Sequence, residues 1–163
     1  MRAWIAVAAF SLAGVLDLYF LAPSSQVVAP QAIFYALLVG NTYFSIRFFA
    51  PLIVISWKQI TVDCVLVVLY IVLALSLGYS LLFPLVATML FLLATVKYAI
   101  ELSGSLHADV FGRKMRIDML AAALCAASFF MAFAYPQVSA WTLTGIFSAA
   151  NVYLLFMSPM YKL

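Results

Sequence analysis

Charge is what this chain has least of. Asp, Glu, Lys and Arg make up 8% of its 163 residues, where a soluble domain carries about 25%. With 69% of positions hydrophobic, too little polar surface is left to face water. The composition therefore predicts an integral membrane protein. Long polar stretches are missing too. The longest, 103–118, is loop-sized, so a soluble domain is excluded.

Other scarcities narrow the chemistry. One histidine, His107, excludes a bis-histidine haem, a three-histidine zinc site and an HExxH motif within this chain. The two cysteines, Cys64 and Cys125, fall inside apolar runs and form no CxxC pair, which reads as free thiols rather than a disulfide framework. Lys and Arg never gather into the run of about five to eight typical of a nucleic-acid patch, so no nucleic-acid partner is expected. Gly104 and Gly112 belong to no GKS or GxGxxG pattern, and Ser103-Gly104-Ser105 is not a GxSxG nucleophile elbow. No catalytic residue, metal or cofactor is assigned.

What is present is a series of long apolar runs. A spanning helix needs about 20 mostly apolar residues, and six such helices account for most of the chain. The pattern predicts an all-α bundle in one transmembrane domain, with spans at about 3–21, 32–50, 62–77, 82–100, 117–134 and 139–157. Arg2 before the first run resembles the start of a signal peptide. The proline of Ala22-Pro23 disfavours cleavage, so this run is read as a retained signal anchor. The second span has two versions, because Asn41, Arg47 and Pro51 interrupt a run reaching Trp57. One is a span to about Ile46 followed by an interfacial segment; the other is a single helix kinked near Pro51. Gly78, Tyr79, Ser80 and Pro84 form the turn between the third and fourth spans. Ser139 is the expected N-cap of the sixth, with Pro159 as its stop.

Charge placement sets the orientation. With an inside N-terminus, Arg2, Arg47, Lys58, Lys97, Arg113, Lys114, Arg116 and Lys162 all fall on the inner side. This is the positive-inside rule without exception, and it places both termini in the cytoplasm. The aromatics agree, with Trp4, Trp57, Tyr98 and Tyr161 at the inner interface and Tyr19, Tyr79, Tyr135 and Trp141 at the outer one. The three spans before Gly78 run opposite to the three after it. Inverted-repeat transporters share that arrangement, although the halves here share no residue pattern. The chain's brevity and the absence of an N-x-S/T sequon suit a bacterial or archaeal cytoplasmic membrane.

Ionisable groups inside a bilayer cost roughly 2.5–3.5 kcal/mol each at a helix centre and are functional candidates for that reason. Asp17 sits near the outer end of the first span, away from every cation, and is either hydrated there or lines a vestibule. Asn41 and Arg47 are the deepest polar residues of the second span. Arg47 either snorkels inward or faces Asp63. Asp17, Asn41, Arg47 and Asp63 are the candidate polar path. At the inner side Lys97, Glu101, His107, Asp109, Arg113, Lys114, Arg116 and Asp118 form a charged cluster. Asp63 and Asp118 are expected at helix starts, where the dipole favours a carboxylate. Glu101, at a helix end, needs a cation such as Arg113 or Lys114. Small residues recur four apart at Ala9/Ala13, Ala74/Gly78, Ala122/Ala126, Ala123/Ala127 and Gly145/Ala149, a spacing that allows close helix approach. Asn151 is placed to bond across helices.

Three functions fit these residues. One is a compact transport component for a small solute or ion along the polar path. Another is a non-catalytic accessory subunit, with other membrane subunits or a second copy as partner besides the lipid bilayer. The third is a small enzyme at the inner headgroup level, using Glu101, His107 and Asp109 with the Arg113–Arg116 basic group.

Overall fold

The computed structural model describes residues 2–21, 25–53, 56–102 and 108–157. The chain forms six α-helices: α1 (Arg2–Phe20), α2 (Val28–Phe49), α3 (Trp57–Ala74), α4 (Leu82–Leu102), α5 (Ala108–Ala132) and α6 (Pro136–Val152). A π-helical turn, Tyr153–Met157, follows α6. Each of the six is long and apolar enough to cross a membrane. Large apolar side chains cover the outside of the bundle, among them Leu16, Val68, Leu120, Phe130 and Ile146. An apolar surface of that extent suits lipid chains rather than water.

Successive helices run in opposite directions, and each packs against two neighbours. The order α1–α3–α4–α5–α6–α2 closes a ring. The starts of α1, α3 and α5 and the ends of α2 and α4 meet at one end of this ring. Arg47, Lys58, Lys97, Arg113, Lys114 and Arg116 all lie there, so it is called the basic end below.

Local chemistry sets the helix limits. At Pro51 the missing N–H removes a rung of the helical ladder. α2 accordingly stops at Phe49, and the N–H groups of Leu52 and Ile53 both bond back to the Phe49 carbonyl. The chain does not continue as one kinked helix to Trp57, since residues 50–53 form a turn. A new helix opens at Trp57, capped by the Ser56 hydroxyl, which accepts the Gln59 N–H at 3.3 Å. Asp63 therefore sits in the second turn of α3 and not at its start. α5 opens at Ala108, nine residues ahead of the expected 117. Arg113, Lys114 and Arg116 are helical as a result, and Asp118 lies three turns in. Pro136, favoured at N1 because it lacks the N–H that goes unused there, starts α6. Ser139 is thus inside the helix, and its hydroxyl bonds to the Ser128 carbonyl and hydroxyl, both at 2.7 Å. Asn151 donates to Phe147 O within α6 and not across helices. The segments holding Ala22-Pro23, His107, Pro159, Tyr161 and Lys162 lie outside the described residues.

The main core fills the ring away from the basic end. Phe34, wholly buried, stacks on Phe147 with ring centroids 4.2 Å apart and meets Phe83 edge-on at 5.6 Å. A smaller apolar cluster of Phe49, Tyr98 and Phe111 packs at the basic end. Tyr98 is buried in it and is not an interfacial anchor. Gly78 has φ 87°, a left-handed conformation that glycine adopts without strain. Its N–H donates to Gln31 Oε1 at 2.7 Å, and Gln31 Nε2 donates to the Tyr79 carbonyl at 3.3 Å.

Helix α1 meets α2 at Gly14, where an added Cβ would stand 2.7 Å from Tyr35 Cε1. That ring cannot easily turn aside, because its hydroxyl donates to the Phe10 carbonyl at 2.9 Å. Gly14→Ala should force the ring away and break this bond, costing about 1–3 kcal/mol as overpacking does. Thermal unfolding in detergent micelles should show the drop, and Tyr35→Leu in the same background should relieve part of it. An unchanged midpoint for Gly14→Ala would mean the two helices are not in this close contact.

Candidate functional site

Between the two apolar clusters lies a cavity of about 560 Å³, reaching from the basic end toward the middle of the bundle. That volume falls within the roughly 300–1,000 Å³ of small-molecule sites. Residues three and four apart share a helix face, and each lining helix contributes one such stripe. On α2 the stripe is Leu38, Asn41, Thr42, Ser45 and Phe49. On α3 it is Gln59, Asp63, Leu66 and Tyr70; on α4, Leu90, Ala94 and Lys97 with Tyr98; on α5, Lys114 and Asp118. Ala6 and Phe10 of α1 complete the wall.

The polar groups of the wall hold one another in place. The Thr42 hydroxyl donates to the Leu38 carbonyl at 2.8 Å and shares a hydrogen bond with the Tyr70 hydroxyl. Ser45 and Tyr98 hydroxyls meet at 3.0 Å, tying α2 to α4. Gln59 Nε2 donates to the Lys97 carbonyl at 3.3 Å, tying α3 to α4.

Two ion pairs differ sharply in exposure. Lys97 Nζ lies 2.5 Å from Asp63 Oδ1, with the aspartate side chain 50% exposed. A pair open to solvent contributes about 0–1 kcal/mol. Lys114 Nζ lies 2.5 Å from Asp118 Oδ1, one helical turn apart, with side chains only 7% and 2% exposed. The ammonium also stands 5.7 Å from the centre of the Tyr98 ring, within cation–π range. Asp118 Oδ2 is buried and meets no hydrogen-bond partner among the described residues. A buried acceptor left unmatched costs free energy, and this oxygen is closed to solvent and to the cavity alike.

Of the path residues, the structure brings Asn41 and Asp63 to this cavity and leaves the other two elsewhere. Asp17 is buried near the far end of α1, with Oδ2 unpartnered among the described residues. Arg47 is exposed on the outside of α2, where it donates to the Tyr43 hydroxyl at 3.2 Å. Asp63 faces Lys97 and not Arg47. Of the charged cluster, Lys97, Lys114 and Asp118 line the cavity. Asp109 and Arg116 are exposed on α5, where Arg116 Nε donates to the Gly112 carbonyl. Arg113 is half-buried there. Lys114, one cation considered for Glu101, is engaged by Asp118. His107 and the side chain of Glu101 lie outside the described residues.

Thr42, Ser45, Gln59 and Tyr70 were not singled out from the sequence, and Tyr98 was read only as an interfacial anchor. Their signal was the helical spacing: Ser45 lies four residues after Asn41, Gln59 four before Asp63 and Tyr70 seven after it, while Thr42 and Tyr98 adjoin Asn41 and Lys97. Among the described residues no three metal-ligating side chains gather. Compared with family models, curated proteins and solved structures, the chain matches none.

Proposed function

We propose that this is a compact transport component of a cytoplasmic membrane, with the basic end facing the cytoplasm. Orientation follows from the positive-inside rule, since the Lys and Arg residues of the helices gather at one end. The transport reading rests on one observation. A cavity lined by two lysines, two aspartates and four hydroxyl side chains penetrates an otherwise apolar bundle. Buried ionisable groups in such surroundings mark solute or ion pathways. Beyond the cavity the route is closed by Phe34, Phe83 and Phe147, so the bundle has the form of a state open to one side only.

The test begins with native mass spectrometry of the protein extracted in mild detergent. Wild type should retain a small molecule that Ala94→Phe, which fills the cavity, has lost. Proteoliposomes should then take up that molecule with wild type and not with the variant. A wild-type protein that carries nothing and moves nothing would end this reading.

An accessory-subunit reading is favoured by a different observation. Ala123, Ala127, Gly145 and Ala149 lie on exposed faces of α5 and α6, and a Cβ built on Gly145 meets nothing within 4 Å. Such faces admit a neighbouring helix closely. A stoichiometric second chain in the same mass spectrum, lost on Gly145→Leu, would support it.

A further inference from the structure

The cavity is not sealed from the side of the bundle. Ile60, Asp63 and Val67 line it, yet all three are exposed on α3. From Ile60 to Val67 the opening runs about 10 Å along the helix, at 1.5 Å per residue. Val67 is the eleventh of the eighteen residues of α3, so the opening reaches the middle of a helix long enough to span a bilayer. A water-soluble ligand needs an entrance only at the end of the bundle. A flank open to mid-helix is what a ligand with a hydrocarbon chain needs.

The lining is graded to match. Its deep part is apolar, formed by Phe10, Leu38, Leu66 and Phe91. Its part near the basic end carries Lys97 with Asp63 and Lys114 with Asp118. Charge in the wall is balanced, two cations against two anions, which disfavours a ligand of net charge. Each ammonium carries three donors, and its aspartate takes one. Asp63 lines the same space with its side chain half exposed and bonds Lys97 through Oδ1, so Oδ2 can take a donor in return. A ligand that satisfies both has an anionic group and a protonated amine in one head.

Resting on the cavity reading above, we infer that the site takes a single-chain zwitterionic amphiphile from the bilayer. Its ammonium bonds to Asp63, its anionic group to Lys97 and Lys114, and its chain lies between Leu66 and Phe91. The head is held by charge-assisted bonds in a site of low dielectric. The chain enters along the open flank of α3 without leaving hydrocarbon.

A photoreactive probe tests this directly. The full chain is placed in phosphatidylcholine nanodiscs with a lysophosphatidylethanolamine carrying a diazirine near its chain end, and cross-linked peptides are mapped. Adducts should concentrate on Leu38, Leu66 or Phe91, about tenfold above the outward-facing Leu120 and Phe130, a difference of ~1.4 kcal/mol. In Ala94→Phe, which alters no charge, cavity labelling should fall to the level of the outer surface. The lysophosphatidylcholine analogue, whose ammonium has no N–H, should label the wild-type cavity several-fold less, and Asp63→Asn should narrow that gap. Labelling of the cavity no stronger than of the outer surface, or unaffected by Ala94→Phe, overturns the inference. Equal labelling by the two heads overturns the role given to Asp63. If the probe stays out while wild type retains a water-soluble molecule that Ala94→Phe loses, the amphiphile is wrong and the transport reading survives. If neither binds, both fall.

Discussion

Asp118→Leu should destabilise the protein by about 3–5 kcal/mol, the range seen when one partner of a buried ion pair is removed. The cost comes from what remains. Lys114 is 5% exposed, and with Asp118 gone its ammonium keeps only the face of the Tyr98 ring. Snorkelling to the surface is blocked by the packing of Phe49, Tyr98 and Phe111 at the basic end. The double variant Lys114→Met/Asp118→Leu should recover most of the loss, because desolvating two charges cancels much of their attraction. Denaturant titration in mixed micelles over the full double-mutant cycle measures this. Lys97→Met gives the contrast, with a loss under about 1 kcal/mol expected for its more exposed pair. If Asp118→Leu and Lys97→Met cost the same small amount, the lysine at 114 is hydrated and the burial of the pair is wrong. Recovery of stability in the double variant should not restore ligand retention, since the Lys114 ammonium that would hold the ligand's anionic group is gone.

Gln31→Leu should be the other large loss, about 1–3 kcal/mol. Gln31 is buried at the end of the bundle opposite the basic one, and its amide serves two backbone groups of the turn between α3 and α4. Leucine fills similar volume and serves neither. The Gly78 N–H would go unmatched, at about 1–3 kcal/mol for a buried group, while the Tyr79 carbonyl keeps the Phe83 N–H at 3.2 Å. Side-chain hydrogen bonds between membrane helices average only about 0.6 kcal/mol, because the separated helices find other partners. That escape is closed here, since the Gly78 N–H, in a turn at φ 87°, meets no other acceptor among the described residues. Gln31→Glu keeps the acceptor for Gly78 and loses the donor to Tyr79, so it should fall between wild type and Gln31→Leu. Matching stabilities for Gln31→Leu and wild type would mean that water serves the turn.

Both residues mark the boundary of what the sequence discloses. Six helices long and apolar enough to span a membrane were legible from hydrophobic runs alone. So was the turn at Gly78, whose neighbours Tyr79, Ser80 and Pro84 read as a break. The start of α5 was hidden, because Asp109, Arg113, Lys114 and Arg116 make a helix's first turns look like loop when hydropathy is the guide. A helix that emerges past the apolar layer has no reason to be apolar there. The partner of Asp63 was equally hidden: Lys97 is 34 positions away, and only the packing of α3 on α4 decides that it faces Asp63 where Arg47 does not. Gln31 carried no signal, since a lone amide in an apolar run looks the same whether it meets lipid, water or a turn. The cavity was half visible. Asn41 and Asp63 stood out by charge and polarity, while Thr42, Ser45 and Tyr70 required the helical stripe to be followed from them.

The closure of the ring by α6 bears on how the chain is made. α2 emerges early from the ribosome, yet the face of Phe34 that receives Phe147 has no cover until α6 arrives. The hydrogen bond from Thr144 to the Pro30 carbonyl joins positions 114 residues apart. At about 5–20 residues per second, α2 waits several seconds in the translocation machinery or the bilayer with that face turned to whatever is at hand. Lipid tolerates an exposed phenylalanine. A second nascent copy would accept it as well, offering its own α6 in place of the one not yet made. Swapping of α6 between copies is the misassembly this topology invites, and slow synthesis across α3 to α5 is what would favour it.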